Sequence, residues 1–372
     1  MEICADASPT IRATSKSVEQ GNPGRSGSAA DPLTLCNPVE RRGSPTFADI
    51  PVTVCICTRD RPHYLASCLD GLRRQSVDAG VFRTIIVDSA SRPENLQENI
   101  RLAKSLRGAE LVAVSQAGVS LARNRGLELV PEGYIVFVDD DAIPAPDWIA
   151  SLRRAVREAP TPPAVLGGSI LPLWEAPLPA WWPAKLRGVL SLIEANGTGE
   201  FGAAGPALNL EPYGANMALD VRVARLLGGF HAQIGRDGMN LLSDEETSLA
   251  DRIQAAGYYT LYDSRIRVLH QVQAVRLRPE WLLSRMYWQG RSRVYRLLAN
   301  GRKNSVRREV IRRMLVAFAL SPLLLLSGRS ASLIGYRWRL AYSWGFLVGV
   351  FTSSRSFRTI GNRTQEPIGL RG

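Results

Sequence analysis

The chain has 372 residues, of which 45% are hydrophobic and 22% are charged, and its formal net charge is +12. This composition excludes a collagen-like chain, wholesale disorder and a polytopic membrane protein, and leaves one large globular domain or two smaller ones. The charge is unevenly distributed, because residues 1–275 carry 27 basic and 31 acidic side chains whereas residues 276–372 carry 19 basic and 3 acidic. A mildly acidic body is therefore followed by a strongly basic C-terminal region.

The first 48 residues are rich in serine, proline, glycine and alanine and lack apolar periodicity and a signal-peptide pattern. We expect a disordered leader there. The five cysteines are odd in number and lack the C-x-x-C spacing of a zinc site. A reducing, cytoplasmic compartment is the simpler interpretation.

From residue 49 to residue 275 the sequence predicts an α/β domain, because short apolar runs rich in β-branched residues alternate with helical stretches. The first predicted strands are 51–58, 84–91, 110–115 and 134–141, and the helices between them are 62–75, 93–106 and 120–130. Later elements are a strand at 164–173, a strand and helix at 213–227, a helix at 243–257, and two short strands around 258–262 and 265–270.

Polar residues follow three of these strands, where open parallel sheets bind ligands. They are Thr58, Arg59 and Asp60 after the first strand, Asp88 after the second, and Asp139, Asp140 and Asp141 after the fourth. Three adjacent carboxylates repel one another unless a cation lies among them. Asp139 and Asp141 lie two residues apart on an extended backbone and can share one Mg²⁺ or Mn²⁺, whereas Asp140 faces elsewhere. The alternative is an acidic loop in which Asp141 caps the following helix.

The sequence has no G-x-G-x-x-G after the first strand and no G-x-x-x-x-G-K-[ST], which disfavours dinucleotide oxidoreductases and P-loop proteins. Six segments in order resemble the motif series of glycosyltransferase family 2: CTRDRPHYLASCLDGLRRQ (57–75), IIVDSAS (85–91), GVSLARNRGLEL (118–129), VFVDDDAIP (136–144), GANMAL (214–219) and SDEETSLADRI (243–253). The resemblance covers about residues 51–300. It implies a GT-A fold, a UDP- or GDP-sugar donor, a divalent metal and inversion at the anomeric carbon.

Two further segments, at 167–182 and 287–292, resemble bacterial enzymes that build exopolysaccharide or other envelope glycans. Carried over by position, the family resemblance implies donor contacts from Thr58, Arg59, Asp60, Asp88, Arg123, Asn124, Asp139 and Asp140. Asp139 and Asp141 match the D-x-D pair. His270 matches a histidine that completes the metal shell in some relatives, which favours Mn²⁺. Arg123 as a surface charge and His270 as a structural residue are the alternatives.

Inversion by a single displacement needs a base that takes the proton of the acceptor hydroxyl. Glu245 and Glu246 occupy the position of the family's Glu-Asp pair, and Glu246 matches the base, with glutamate in place of the usual aspartate. Asp244 and Glu245 remain candidate bases. The alternative is that all three acids only stabilise the positive end of a helix.

Aromatic residues in a proline-rich loop, 172–183, are candidates for an acceptor-side lid or a hydrophobic plug over the sheet. They are Trp174, Trp181 and Trp182. Asn216 in GANMAL is assigned to the acceptor side, and Arg291 in YWQGRS to the donor diphosphate. The spacing of Gln289 and Arg291 does not reproduce the Q-x-x-R-W motif of processive synthases.

The C-terminal region predicts three helices, near 279–300, 305–326 and 331–351. Its uncharged runs at 314–328 and 340–354 are fifteen residues long, which is short for a membrane span, and arginines flank them. We expect helices that lie on or re-enter an anionic membrane surface. Nucleic acid is disfavoured as the partner because no nucleic-acid-binding motif accompanies the charge.

These patterns predict a metal-dependent inverting glycosyltransferase at the cytoplasmic face of the cell membrane, acting on a glycan or lipid-linked acceptor. Two alternatives come from other classes. One is a catalytically silent sugar-binding or scaffold protein of an envelope assembly complex. The other is a sugar nucleotidyltransferase, which is disfavoured because no G-x-G-x-R-like loop follows the first strand.

Overall fold

The computed structural model describes residues 51–202, 210–236, 238, 240–324 and 334–356, without the side chains of 323, 324 and 354–356. The leader predicted at 1–48 and the end of the first uncharged C-terminal run, 325–328, lie outside the described residues. Every described residue belongs to one unit of the chain, Pro45–Gly372.

The first half of the domain consists of three βα units and a fourth strand. The strands are β1 (Val52–Thr58), β2 (Arg83–Ser89), β3 (Ala109–Val114) and β4 (Tyr134–Asp139), and the helices are α1 (Pro62–Arg73), α2 (Pro93–Lys104) and α3 (Val119–Leu129). The strands are parallel in the order β3-β2-β1-β4. Strands β1, β2 and β4 are buried nearly throughout, as strands of a covered parallel sheet are. The predicted alternation is confirmed to within two residues at most element ends.

The second half extends the same sheet with both antiparallel and parallel pairings. Its elements are β5 (Ala142–Pro144), α4 (Trp148–Glu158), β6 (Val165–Trp174), β7 (Thr198–Gly199), β8 (Met217–Asp220), α5 (Val221–Leu226), α6 (Glu245–Ala255) and β9 (Thr260–Val272). The order continues β4-β8-β6-β9-β5, and β8 runs antiparallel to both of its neighbours. The sheet is therefore mixed.

The two short strands predicted around 258–262 and 265–270 are one strand, β9. Its pairing with β6 shifts in register between Gly168 and Ser169, so the hydrophobic pattern is broken without the strand ending. A Cβ atom on Gly168 would lie 2.0 Å from the carbonyl oxygen of Ile266, which leaves room only for glycine at this bulge.

Three helices follow the sheet: α7 (Pro279–Ala299), α8 (Lys303–Leu320) and α9 (Ile334–Ser356). Leu277, Leu282 and Met286 belong to the main hydrophobic core, so the packing continues across the predicted domain boundary at residue 275. A mixed sheet with flanking helices and a helical C-terminal extension is the architecture expected of a GT-A domain, and the predicted α/β class is confirmed. Within the described part of the chain, no helix is long and apolar enough to cross a bilayer.

Candidate active site

A cavity of about 490 Å³ lies at the carboxyl ends of β1 and β4. Its wall is built from these strand ends, the start of α3, the 3-10 helix Ala184–Leu190 and the starts of α6 and α7. Thr58 and Arg59, two of the polar residues predicted to follow the first strand, line this cavity. Polar groups from distant parts of the sequence therefore converge where a parallel sheet binds its ligand.

Asp139 and Asp141 line this cavity, whereas Asp140 lies beneath it. The Asp140 carboxylate is fully buried, accepts a hydrogen bond from Oγ1 of Thr58 at 2.8 Å and lies 2.5 Å from Nη2 of Arg61. Burial raises the pKa of Asp140, against the opposing charge of Arg61. The assignment of Asp140 to the donor is corrected, because this side chain anchors the β1–α1 turn instead.

Asp141 is the most heavily paired of the three aspartates. Its Oδ2 atom accepts hydrogen bonds from Nη1 of Arg61 at 2.9 Å and Nη2 of Arg276 at 2.8 Å, and its Oδ1 atom lies 3.4 Å from Nε2 of His270. Antiparallel pairing places His270 opposite Ala142, which brings the imidazole to Asp141. Burial alone would raise the pKa of Asp141, but His270, Arg276 and Arg61 outweigh it and lower that pKa well below the usual range.

The predicted metal ligands form a partial site. Asp141 and His270 are a carboxylate and imidazole pair that suits Mn²⁺, and Nδ1 of His270 is buried without a hydrogen-bond partner in the described structure. Asp139 is bound to Arg123 instead, and among the described residues no group of three or more His, Cys, Asp or Glu is arranged to hold a metal. A divalent cation held by two protein ligands would take its remaining ligands from phosphate oxygens and water.

The three acids at the start of α6 all line the cavity but differ in protonation. Asp244 accepts a hydrogen bond from Gln289 at 2.7 Å, and burial raises its pKa. Burial and the charge of Glu246 raise the pKa of Glu245 to about 8. Burial would also raise the pKa of Glu246, but Arg123 and backbone N–H groups outweigh it and lower that pKa. Glu246 is therefore the ionised member of the glutamate pair at neutral pH.

Sequence reasoning missed an arginine cluster in the lining of the cavity, formed by Arg236, Arg276 and Arg285. No carboxylate in the described ranges lies within 4.0 Å of Arg236 or Arg285. Burial, together with the charges of Arg276 and Arg285, lowers the pKa of Arg236 to about 10. Three mutually repelling guanidinium groups in a cavity favour an anionic ligand, because its charge relieves their repulsion.

Comparison with known proteins gives a family match for part of the chain. Residues 53–167 match the family model described as Glycosyl transferase family 2. This segment is therefore similar to glycosyltransferase family 2. The chain is 30% identical over 181 residues to the glucosyl-dolichyl phosphate glucuronosyltransferase of Haloferax volcanii. The alignment covers 47% of this chain and 55% of that protein. The chain thus aligns with little more than half the length of this curated relative.

Two solved structures are also similar to this chain. The mannosyltransferase PcManGT from Pyrobaculum calidifontis, in complex with GDP-Man and Mn²⁺, is 17% identical with a TM-score of 0.48, over 83% of this chain and 75% of that one. S. aureus TarS is 14% identical with a TM-score of 0.42, over 65% of this chain and 39% of that one.

Two donor contacts implied by the family 2 resemblance are structural in this chain. Asp88 is fully buried and accepts hydrogen bonds from the backbone N–H of Ser91 at 2.9 Å and from Nδ2 of Asn99 at 2.8 Å. Asn124 bonds both the N–H and the C=O of Phe230, each at 2.8 Å. Neither side chain lines the cavity, so both assignments are corrected.

Three more residues of the predicted site lie outside the cavity lining. Asp60 accepts a hydrogen bond from Nδ2 of Asn95 at 2.9 Å and joins the turns after β1 and β2. Asn216 is buried and accepts from Nε1 of Trp148 at 2.9 Å. Arg291 donates from Nη2 to Oγ1 of Thr352 on α9 at 3.3 Å, so it links two helices in this structure.

The tryptophans of the 172–183 loop also lie outside the lining of the cavity. Trp182 is buried in the main core, and its ring centroid lies 5.5 Å from that of Trp181. The Trp174 ring is covered by the guanidinium of Arg187 at 5.5 Å. The loop is therefore a hydrophobic plug, and the acceptor-side assignment of the three tryptophans is corrected. Lys185, just after the loop, reaches the cavity instead.

Proposed function

We propose that this chain transfers a sugar from a nucleotide-diphosphate donor to a hydroxyl of a glycan or lipid-linked acceptor, with inversion at the anomeric carbon. The observation that carries the proposal is the cavity lined by both an arginine cluster and an ionised glutamate, in a chain whose residues 53–167 match the family 2 model. A diphosphate and an acceptor hydroxyl need these two environments side by side.

The donor diphosphate is assigned to Arg236, Arg276 and Arg285. Guanidinium groups bind phosphate oxygens through paired hydrogen bonds, and neither Arg236 nor Arg285 has a described carboxylate within 4.0 Å. A cavity of about 490 Å³ is within the size range of small-molecule sites. The nucleotide is UDP or GDP in this proposal, as the family resemblance implies.

Asp141 and His270 would hold the divalent cation, Mn²⁺ or Mg²⁺, with Asp139 at the same edge of the sheet. When bound, the cation would neutralise charge on the diphosphate as it becomes the leaving group. Arg61 and Arg276 already neutralise Asp141, so cation binding competes with these guanidinium groups for the same carboxylate.

Glu246 is the base in this proposal. Its carboxylate takes the proton of the acceptor hydroxyl. The hydroxyl oxygen forms a bond to the anomeric carbon of the donor, on the face opposite the departing diphosphate. The bond between the anomeric carbon and the diphosphate oxygen breaks in the same step, and its electron pair leaves with the nucleoside diphosphate. The arginine cluster stabilises the charge that develops on that oxygen.

A lipid-linked acceptor is favoured by the exposed surface of α8. Ile311, Met314, Leu315 and Phe318 recur at helical spacing along one exposed face. The exposed arginines Arg307 and Arg308 lie one turn before them. Such a face suits the surface of an anionic membrane. The Haloferax volcanii relative is named for a dolichyl phosphate-linked glucose, which supports the same acceptor class.

The proposal places the protein at the cytoplasmic face of the cell membrane, in exopolysaccharide or cell-envelope glycan synthesis. The experiment that tests the donor is a thermal-shift screen of UDP-, GDP- and dTDP-sugars with and without Mn²⁺. A ligand at 100 times its Kd stabilises the folded state by about 2.7 kcal/mol, which such a screen detects.

We expect one nucleotide class to raise the Tm. We also expect Arg285→Gln to weaken that shift, and Asp141→Asn to remove its dependence on Mn²⁺. Arg125→Gln, on an exposed arginine of α3 that pairs with Glu128, is the matched control. A wild-type protein that no nucleotide sugar stabilises would contradict the proposal. Pyrophosphate release from a nucleoside triphosphate and a sugar phosphate would instead identify a nucleotidyltransferase.

A further inference from the structure

Arg123 joins two parts of the cavity wall that are distant in sequence. Its Nη2 atom donates to Oδ1 of Asp139 at the end of β4, at 3.2 Å. Its Nη1 atom lies 2.7 Å from Oε1 of Glu245 and 2.9 Å from Oε1 of Glu246, at the start of α6. The Arg123 side chain is only 3% exposed, so these contacts are made with little competition from water.

We propose that Arg123 is a positioning residue for the catalytic base, which holds Glu246 by its Oε1 atom and leaves Oε2 to take the acceptor proton. This inference rests on the proposed function, because it takes Glu246 as the base. The resemblance to family 2 implied a different role for Arg123, as a donor contact.

The backbone of Gly214 completes the hold on Glu246. Its N–H donates to the same Oε1 atom at 3.0 Å. A Cβ atom at this position would lie 1.9 Å from Nη2 of Arg123 and 2.8 Å from Oε1 of Glu246, so no other residue fits without displacing both side chains. The N–H groups of Arg123 and Gly214 therefore hold Oε1 of Glu246 in place. Because the carboxylate is rigid, this also limits the directions in which Oε2 can point.

Arg123 itself is held by two aromatic rings. Its guanidinium carbon lies 5.9 Å from the ring centroid of Phe137 on β4 and 5.7 Å from that of Phe230. The two rings pack edge to face at 5.4 Å. A guanidinium group confined in this way is suited to orienting a neighbour, because it loses little further freedom when it binds.

Glu245 competes little with Glu246 for the charge of Arg123. Oε2 of Glu245 is buried without a hydrogen-bond partner in the described structure, and burial and Glu246 raise the Glu245 pKa. The other groups that act on Glu246 are Tyr213, in the loop before Gly214, and Arg285 on α7.

The test compares Arg123→Lys and Arg123→Gln with Arg125→Gln, a matched change at an exposed position of the same helix. Affinity for UDP and for GDP, each with Mn²⁺, is measured by calorimetry. Nucleotide release from the active donor gives kcat as a function of pH. We expect the Arg123 variants to keep nucleotide affinity within a factor of about 3 while kcat falls about 100-fold or more.

The acid limb of kcat is expected to move to higher pH by about one unit in Arg123→Gln, because Glu246 loses its cation, and by less in Arg123→Lys, which keeps a positive charge. Arg125→Gln should behave as wild type. Nucleotide affinity at least about 10-fold weaker with an unmoved acid limb would overturn the inference and return Arg123 to the donor site. If Arg123→Gln does not fold, Arg123→Lys and Gly214→Ala carry the same comparison.

Failure of the proposed function gives a different result, namely a wild-type protein that turns over no nucleotide sugar. The inference is then measured without turnover, by carbon-13 NMR titration of the Glu246 carboxyl, assigned with Glu246→Gln. A higher midpoint in Arg123→Gln than in wild type supports the positioning role. Equal midpoints overturn it.

Discussion

Glu245 and Glu246 are adjacent in sequence, yet the structure gives their carboxyl groups opposite protonation at neutral pH. Both contact Arg123 through Nη1, but Glu246 in addition accepts a hydrogen bond from the backbone N–H of Gly214. Because the two charges repel, the better-stabilised group ionises and the other keeps its proton. Such a pair can supply both a base and a neutral neighbour within one turn of helix.

This asymmetry predicts how stability depends on pH. Burial holds the pKa of Glu245 at about 8, whereas the unfolded chain loses that proton near the ordinary glutamate pKa of about 4.3. Between these values the unfolded state binds fewer protons, so the free energy of unfolding falls as pH rises. Glu245→Gln removes this contribution and should gain stability over wild type by up to about 1 kcal/mol per pH unit.

Urea unfolding of wild type and Glu245→Gln between about pH 5 and pH 8 measures this difference. The gap between the two curves should widen with pH and then level off. A constant gap would show that Glu245 titrates normally in the folded protein. Glu98→Gln is the control, because Glu98 is an exposed acid whose pKa is lowered rather than raised.

At this scale the sequence predicted the acidic half of the site and missed the basic half. Asp139, Asp141 and the glutamate pair follow predicted elements and belong to recognisable motifs, so their positions were expected. Arg236 and Arg285 have no local signal, because they meet only through the tertiary arrangement of a loop and α7. Asp88 and Asn124 matched motif positions, but their side chains accept hydrogen bonds from backbone N–H groups. These contacts cannot be read from the motifs.

The crossing of α7 and α9 shows how an element of the C-terminal region is fixed to the domain. A Cβ atom on Gly290 would lie 2.1 Å from the carbonyl oxygen of Tyr342, and one on Gly345 would lie 1.8 Å from that of Tyr287. The two backbones therefore meet directly at glycine. Gly290 belongs to the YWQGRS segment, and this glycine lies at the helix crossing, whereas the neighbouring Gln289 lines the cavity.

We predict that Gly345→Ala destabilises this crossing, because the added methyl group has no space without separating the helices. Overpacking of this kind costs about 1–3 kcal/mol, which thermal or urea unfolding resolves. Gly335→Ala, on the same helix with open space around the glycine, is the matched control and should be neutral or stabilising. Equal stability of the two variants would show that α9 does not pack against α7 in this way.

The exposed face of α8 supports a prediction about membranes. Leu315→Glu combined with Phe318→Glu should abolish sedimentation with vesicles that contain anionic lipid, because both side chains are exposed and apolar. Leu226→Glu replaces an exposed leucine on α5 and is the control for a general effect of charge. Wild-type binding should weaken as salt is raised. Unchanged binding of the α8 double variant would exclude this face as the contact.

Across the whole molecule, the basic C-terminal region has two different uses. Arg276 and Arg285 face the cavity, and Arg296 pairs with Asp251 at 2.9 Å and Glu211 at 2.6 Å. The arginines Arg307 and Arg308 of α8 are exposed and can contact a membrane. The division of charge at residue 275 is real in the sequence, but it does not mark a structural boundary, because α7 completes the wall of the cavity.

The fold was predictable where hydrophobic periodicity repeats over short distances, as in the three βα units. It was less predictable where strands pair over long distances. The bulge in β9 interrupted its pattern and made one strand resemble two, and the antiparallel insertion of β8 between β4 and β6 has no local signal. The placement of α9 depended on two glycines, whose effect is visible only when both helices are in place.

The most direct test of the account is a comparison of wild type with Glu246→Gln, given the nucleotide sugar that binds and an acceptor it glycosylates. We predict that Glu246→Gln binds the donor nucleotide as wild type does but transfers sugar about 10²–10⁴-fold more slowly, because only the proton acceptor is lost. Transfer by Glu246→Gln at a rate close to wild type would contradict the assignment of Glu246 as the base of this glycosyltransferase.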